Sequence, residues 1–134
     1  MPHLTILYTP NIEPEADVSQ LCRKLAAVMQ GVLDEAGKPV FPTGGIRVLA
    51  YPATHFAVAE SSGDYGFCYL NLRMASGRNA ATQQAAGQAL TDCARAHLAP
   101  LLAAKKVGLT LQVDVGPEVF DAKFGNLHPL FNKS

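Results

Sequence analysis

The chain has 134 residues, of which 49% are hydrophobic and 16% are charged, a size and composition typical of one globular domain. Eleven lysines and arginines balance eleven aspartates and glutamates, so the formal net charge is zero and general binding of nucleic acid or an anionic membrane is excluded. No apolar run is long enough to span a bilayer and no secretory leader pattern opens the chain, which predicts a cytoplasmic protein. The three cysteines and four histidines are scattered, so we expect neither disulfides nor a metal site.

The first half of the sequence has the pattern of a strand, a helix and a strand. Apolar residues alternate over residues 4–8, which predicts a strand that begins almost at the first residue. Apolar residues then recur with a period near 3.6, which predicts an amphipathic helix over residues 15–35. Glycines and prolines end that helix, and a second strand is predicted over residues 46–51, interrupted at a proline and resuming over residues 56–59.

The second half repeats this pattern. Residues 65–74 are apolar on both faces, as an interior strand requires, and a helix is predicted over residues 80–104. Residues 107–115 alternate between apolar and polar side chains, which predicts a fourth strand with one face toward the core. Right-handed crossovers would place both helices on one face of a four-stranded sheet. The fold class predicted is therefore α+β in two layers.

This organisation makes residues 1–134 a single domain built from two pseudo-repeats, 2–60 and 64–116. The remaining residues, 117–134, form a tail that is too apolar to stay free, so we expect it to dock on its own domain or on a partner chain.

The sheet face that the helices leave uncovered is predicted to be apolar. It is expected to carry several tyrosines together with four leucines, namely Leu7, Leu49, Leu70 and Leu72. An exposed apolar face usually marks an interface. The second long helix is also rich in alanines, which allow close approach of a neighbouring subunit. Both features predict a homo-oligomer.

Pro2 is the first candidate for chemistry. A small residue after the initiator methionine normally permits removal of Met1, and the proline nitrogen then becomes a free secondary amine. An α-amino group titrates at about 7.7 to 8.0, and an apolar pocket near cations disfavours its charged form. Pro2 is therefore a candidate general base near neutral pH. The alternative is that Met-Pro is simply a common start of a chain.

Arg47 and Arg78 are the candidate anion-binding residues. Arg78 lies just before the second long helix, where a cation beside the helix N-terminus makes a ready carboxylate site. The alternatives are an exposed loop arginine at Arg78 and a surface residue on a strand edge at Arg47. His3, next to Pro2, is a weaker candidate for substrate binding, since a lone strand histidine is more often structural.

Five short motifs together resemble the 5-carboxymethyl-2-hydroxymuconate isomerases of the tautomerase superfamily, and the resemblance covers nearly the whole chain. The motifs are Met1-Pro2-His3, Asn11-Ile12 with Glu15-Ala16-Asp17, Gly45-Ile46-Arg47, Asp64-Tyr65 and Gly77-Arg78. The resemblance implies a homotrimer and a cofactor-free isomerase in the catabolism of aromatic compounds. It implies that Pro2 moves a proton in a 2-hydroxymuconate-type dienol to give a 2-oxo-enoate, while Arg47 and Arg78 bind the carboxylates of this small-molecule substrate.

Three departures from the family pattern bear on the substrate. Leu49 stands where the family carries a second arginine, and residues 51–56 lack the family's tryptophan. The loop over residues 35–39 is also longer. The alternatives are another proline-dependent reaction of this superfamily on a small carboxylate, or a catalytically silent trimeric binding protein.

Overall fold

The computed structural model describes residues 2–131, and its centre is one four-stranded sheet. The strands are β1 (His3–Tyr8), β2 (Arg47–Pro52), β3 (Gly66–Met74) and β4 (Val107–Val115). Their order in the sheet is β2-β1-β3-β4. Strand β1 runs parallel to β2 and β3 runs parallel to β4, while β1 and β3 are antiparallel. Each half of the chain thus contributes one parallel pair, as the two predicted strand-helix-strand units require.

Two long helices cover one face of this sheet. Helix α1 (Val18–Gly31) buries an apolar stripe, and helix α2 (Ala80–His97) buries a stripe of smaller side chains. On the sheet, the alternate residues that face these helices, such as Leu4 and Ile6 of β1, are fully buried. The predicted two-layer α+β fold is confirmed. Among residues 2–131, the structure contains no helix with the length and apolarity that a membrane crossing requires.

Both long helices are shorter than predicted. Helix α1 begins at Val18, because Asp17 has a left-handed backbone (φ 42°) and its carboxylate caps the helix by accepting from the Gln20 N–H. The helix predicted over residues 80–104 ends at His97, and a separate short helix, α3 (Ala99–Ala104), follows it. Pro100 explains the break, since its ring nitrogen has no N–H to donate within a continuous helix.

The uncovered face of the sheet differs in part from the prediction. Leu7 and Leu49 are about half exposed there, at 46% and 49%. Leu70 and Leu72 were expected on the same face, but they are buried at 1% and 0% against the helices. The reason is that β3 is apolar at successive positions, so its sequence does not show which residues point inward.

The loop after β2 and the C-terminal tail are irregular. The strand predicted over residues 56–59 is wrong, since these residues form an exposed loop. In the tail, a short 3-10 turn over His128–Leu130 packs on another 3-10 turn over Thr43–Gly45. Between Gly116 and that turn, the side chains of Val119, Phe120 and Phe124 are almost fully exposed in the single chain.

Candidate active site

A cavity of about 500 Å³ opens at one end of the sheet. The pairing of the strands explains which residues meet there. His3 of β1 lies opposite Arg47 at the start of β2 and opposite Arg73 near the end of β3. The residue before β1, the turn that leads into β2 and the loop that leaves β3 therefore converge, and Pro2, Arg47 and Arg78 all line the cavity.

Pro2 occupies an apolar part of the cavity. It is buried, and the neighbouring lining residues Val40 and Phe41 are each only 2% exposed. Met74 at the end of β3 lines the same cavity and is 3% exposed. A titratable nitrogen at this position would have little access to water, which disfavours its charged form.

Arg47 is held by the turn that precedes β2. Its Nη1 donates to the carbonyl oxygen of Gly44 at 2.6 Å and to that of Ile46 at 3.1 Å. A guanidinium group has five N–H donors, so the Nε and Nη2 groups remain after these two bonds. Within residues 2–131, neither of them forms a hydrogen bond. The side chain is thus fixed in place while part of its donor set is free for a ligand.

Arg78 is fixed from the other half of the chain. Its Nη2 donates to the carbonyl oxygen of Val40 at 2.8 Å, and this bond links the start of α2 to the segment that follows α1. The next residue, Asn79, caps α2 by accepting from the Thr82 N–H at 2.8 Å. Arg78 therefore stands beside a helix N-terminus at the edge of the cavity, the arrangement that favours an anion.

His3 lies outside the set of residues that line the cavity. Its side chain is on the uncovered face of the sheet, because successive residues of β1 alternate between the two faces. Partial burial lowers the pKa of His3, the positive charge of Arg47 lowers it further, and Asp121 opposes these effects. His3 thus neighbours the arginine without sharing its cavity.

Three residues from the family-like motifs, Asn11, Asp64 and Tyr65, have a structural role away from the cavity. The Asn11 amide donates to the Asp64 carboxylate and to the Tyr65 carbonyl oxygen, each at 2.8 Å. The ammonium group of Lys105 lies 3.1 Å from the other Asp64 oxygen. The hydrogen bond from Asn11 and the Lys105 charge hold the pKa of Asp64 below its ordinary value. These contacts fix the entry into β3.

One wall of the cavity comes from the C-terminal tail, for which the sequence predicts only docking. Residues 123–125 and 127–129 line the cavity together with residues of the sheet and its loops. Within this wall, the Lys123 ammonium pairs with the Asp121 carboxylate at 2.9 Å, which raises the pKa of Lys123. The sequence does not predict this wall, because the tail has no periodic pattern from which its position could be inferred.

The family model for 5-carboxymethyl-2-hydroxymuconate isomerase matches residues 2–131, which is almost the entire chain. The chain belongs to this family.

A relative and two solved structures that carry the same enzyme name support this family assignment. An Escherichia coli 5-carboxymethyl-2-hydroxymuconate Delta-isomerase is 27% identical over 131 residues, or 98% of this chain and 99% of the relative. A crystal structure of a 5-carboxymethyl-2-hydroxymuconate delta-isomerase is 56% identical with a TM-score of 0.95, covering 100% of this chain and 95% of the other. The corresponding isomerase from Deinococcus radiodurans R1 is 32% identical with a TM-score of 0.85, covering 98% and 95%. The predicted resemblance is confirmed, and the protein is an isomerase of the tautomerase superfamily.

Proposed function

We propose that the chain, after removal of Met1, is a cofactor-independent isomerase that converts a 2-hydroxymuconate-type dienol to a 2-oxo-enoate. Pro2 is the base, and Arg47 and Arg78 bind the carboxylates of the substrate. The observation that carries this proposal is that these three residues, from distant parts of the sequence, line one cavity. The names of the relatives, which are isomerases of 5-carboxymethyl-2-hydroxymuconate, support the choice of substrate.

Pro2 suits the role of the base because of its surroundings. Once Met1 is removed, its ring nitrogen is a secondary amine with a lone pair. Burial among Val40, Phe41 and Met74 disfavours the ammonium form, and the positive charges of Arg47 and Arg78 act in the same direction. The pKa of the nitrogen should therefore fall below the ordinary range of about 7.7 to 8.0, which leaves a neutral base near pH 7.

The reaction is an internal proton transfer. The Pro2 nitrogen accepts the proton of the 2-hydroxyl group, and the resulting dienolate spreads its negative charge over the conjugated system. A proton then returns from the Pro2 nitrogen to a carbon atom of that system, and the 2-oxo group is formed. Atoms and electrons balance within the substrate, so the scheme needs no oxidant, reductant or cofactor.

The arginines serve both binding and catalysis in this scheme. Each can bind a carboxylate through paired N–H donors, which fixes the substrate with its hydroxyl near Pro2. The hydrogen bonds that hold Arg47 to Gly44 and Arg78 to Val40 set these positions before the substrate arrives. Because the positive charges also stabilise the dienolate more than the neutral dienol, they lower the barrier to proton transfer. His3 stays a weaker proposal for substrate binding, since it lies beside Arg47 but outside the lining.

We also propose that the chain assembles as a homotrimer through the uncovered face of the sheet. That face exposes Leu7, Leu49, Tyr51 and Phe67 by 37% to 51% in the single chain. An exposed apolar face of this kind is typical of an interface. Fold neighbours support the number of subunits, since a fused 4-OT described as a symmetric trimer shares the fold at 19% identity and a TM-score of 0.57. Light scattering after size exclusion should give three times the chain mass of 14.2 kDa.

The direct test is ultraviolet-monitored ketonisation of 5-carboxymethyl-2-hydroxymuconate by protein whose intact mass shows that Met1 is absent. The catalysed rate is compared with the spontaneous rate, and a large acceleration is expected. Arg47→Ala and Arg78→Ala should each lower kcat/KM by about 10- to 100-fold, as expected for the loss of a hydrogen bond to a charged group. Arg95→Ala is the matched control, because Arg95 is an exposed arginine of α2 outside the cavity.

Two results would contradict the proposal. If processed protein gives no acceleration, the substrate is wrong, and a panel of other small unsaturated carboxylates tests the remaining proline-dependent reactions. If Arg47→Ala and Arg78→Ala behave like Arg95→Ala on the true substrate, the cavity is not the active site. A protein that accelerates none of these reactions would instead be a catalytically silent binding protein.

A further inference from the structure

His128 is a cavity residue to which neither the motifs nor the proposed reaction assigns a role. It begins the 3-10 turn His128–Leu130 of the tail and lines the same cavity as Pro2, Arg47 and Arg78. The imidazole forms no hydrogen bond to any other side chain or backbone group within residues 2–131. An imidazole nitrogen that carries hydrogen can therefore donate to a ligand in this cavity without breaking an existing bond.

The placement of His128 depends on Gly44. A Cβ atom built on Gly44 would lie 2.8 Å from the Cα atom and 2.8 Å from the Nδ1 atom of His128. Only a residue without a side chain permits this approach, so the tail is seated directly on the turn before β2. The carbonyl oxygen of the same Gly44 accepts the 2.6 Å hydrogen bond from Arg47. Gly44 thus lies against His128 and also holds the Arg47 guanidinium through its carbonyl oxygen.

The other polar side chain of the tail wall is less available. The Lys123 ammonium is already paired with Asp121 at 2.9 Å. A ligand would have to compete with that carboxylate for Lys123, whereas His128 has no such partner among the described residues. The imidazole is therefore the polar group of the wall that a ligand can contact most directly.

Resting on the proposed function, we propose that His128 is a substrate-binding residue that donates a hydrogen bond to the carboxymethyl carboxylate of 5-carboxymethyl-2-hydroxymuconate. This compound carries three carboxylates, two on the muconate chain and one on the carboxymethyl branch. Arg47 and Arg78 account for two of them. The third needs a donor other than these two arginines, and His128 of the tail wall supplies one. His128 thereby selects the branched substrate over an unbranched one.

The kinetic test compares two substrates that differ only in this branch. His128→Ala should raise KM for 5-carboxymethyl-2-hydroxymuconate by about tenfold, the loss expected for a hydrogen bond to a charged group, with little change in kcat. KM for 2-hydroxymuconate, which lacks the branch, should change by less than about twofold. His128→Gln keeps an N–H donor, so its KM for the branched substrate should return most of the way to the wild-type value. His55→Ala is the matched control, since His55 lies in an exposed loop outside the cavity.

A binding measurement separates this inference from the proposed reaction. Propane-1,2,3-tricarboxylate and glutarate are titrated into protein labelled at its histidines, and the imidazole carbon–proton signals are followed by NMR. The His128 signal should shift and reach saturation as the tricarboxylate is added. His128→Ala should weaken the binding of the tricarboxylate about tenfold and leave the binding of glutarate unchanged. This outcome would support the role of His128 even if the protein failed to isomerise the dienol.

Three results would overturn the inference. The first is a KM for the branched substrate that His128→Ala leaves unchanged. The second is an equal rise in KM for both substrates in His128→Ala and His128→Gln, which would indicate a structural role for the residue in seating the tail. The third is a tricarboxylate affinity that does not depend on His128.

Discussion

Gly44→Ala should detach the tail wall from the cavity. The new methyl carbon would lie 2.8 Å from the Cα atom of His128, whereas carbon atoms in contact are normally about 3.5 to 4.0 Å apart. The tail must therefore move by roughly 0.7 Å or more, or the turn Thr43–Gly45 must move instead. The turn is tied to the sheet through Arg47 and β2, while Phe124 and Leu130 of the tail are 97% and 65% exposed. The tail is held less firmly than the turn, so we expect the tail to move.

The magnitude follows from which part moves. If tail and turn both stayed in place, overpacking would lower the free energy of unfolding by about 1 to 3 kcal/mol. Since we expect the tail to move away from the turn, the free energy of unfolding should fall by less than about 1 kcal/mol. KM should rise by about tenfold because the wall that carries His128 no longer contacts the substrate. Trypsin should also cleave after Lys123 faster than in the wild type.

The assay is urea unfolding followed by far-ultraviolet circular dichroism, since the chain contains no tryptophan. Protein concentration is held constant, because the stability of an oligomer depends on it. Gly31→Ala is the control: Gly31 ends α1, and a Cβ atom there meets nothing within 4 Å. A Gly44→Ala variant that loses 1 to 3 kcal/mol but keeps its KM would refute the reasoning, because the tail would then have stayed in place.

Three further predictions concern the core. Leu25→Ala removes a fully buried side chain of α1 and should lower the free energy of unfolding by about 2 to 5 kcal/mol in the same urea assay. Burial and the hydrogen bond that the Tyr8 hydroxyl donates to Glu13 raise the pKa of Tyr8 to about 12. The folded state thus holds this proton more tightly than the unfolded chain, whose tyrosines titrate at about 10. The stabilisation from this raised pKa is present below pH 10 and is lost as the pH rises toward 12. In Tyr8→Phe, the free energy of unfolding measured in urea should therefore depend less on pH between 10 and 12 than in the wild type. Burial raises the pKa of Cys68 to about 11, so in the native protein a thiol reagent at pH 8 should modify Cys68 last of the three cysteines.

The sequence predicts the elements of the fold because their patterns are strong. Strand β4 alternates over its entire length, and the stripe of α1 repeats through Val18, Leu21, Leu25 and Met29. The ends of the helices are harder to predict, since they depend on single residues. Asp17 adopts a left-handed backbone and caps α1, so the helix begins at Val18 and not at residue 15, where the apolar period predicts its start.

The candidate site is predictable only in part. Pro2, Arg47 and Arg78 can be chosen from their chemistry and from the positions of the predicted elements. Their meeting in one cavity depends on the pairing of β1 with both β2 and β3, which the sequence pattern does not determine. The tail wall escapes prediction because its contact with Gly44 joins two irregular segments. A glycine that is needed for close approach looks in sequence like any other turn glycine.

The central claim is that the nitrogen of Pro2 moves the proton, and Pro2→Ala tests it most directly. The variant is compared with the wild type in the ketonisation of 5-carboxymethyl-2-hydroxymuconate, with both intact masses showing that Met1 is absent. Alanine leaves a primary amine that lacks the ring and its fixed geometry, so the rate should fall by about 100-fold or more, as is typical for loss of a positioned general base. The oligomeric mass and the urea midpoint should be unchanged. A Pro2→Ala protein that retains the full rate would contradict the account.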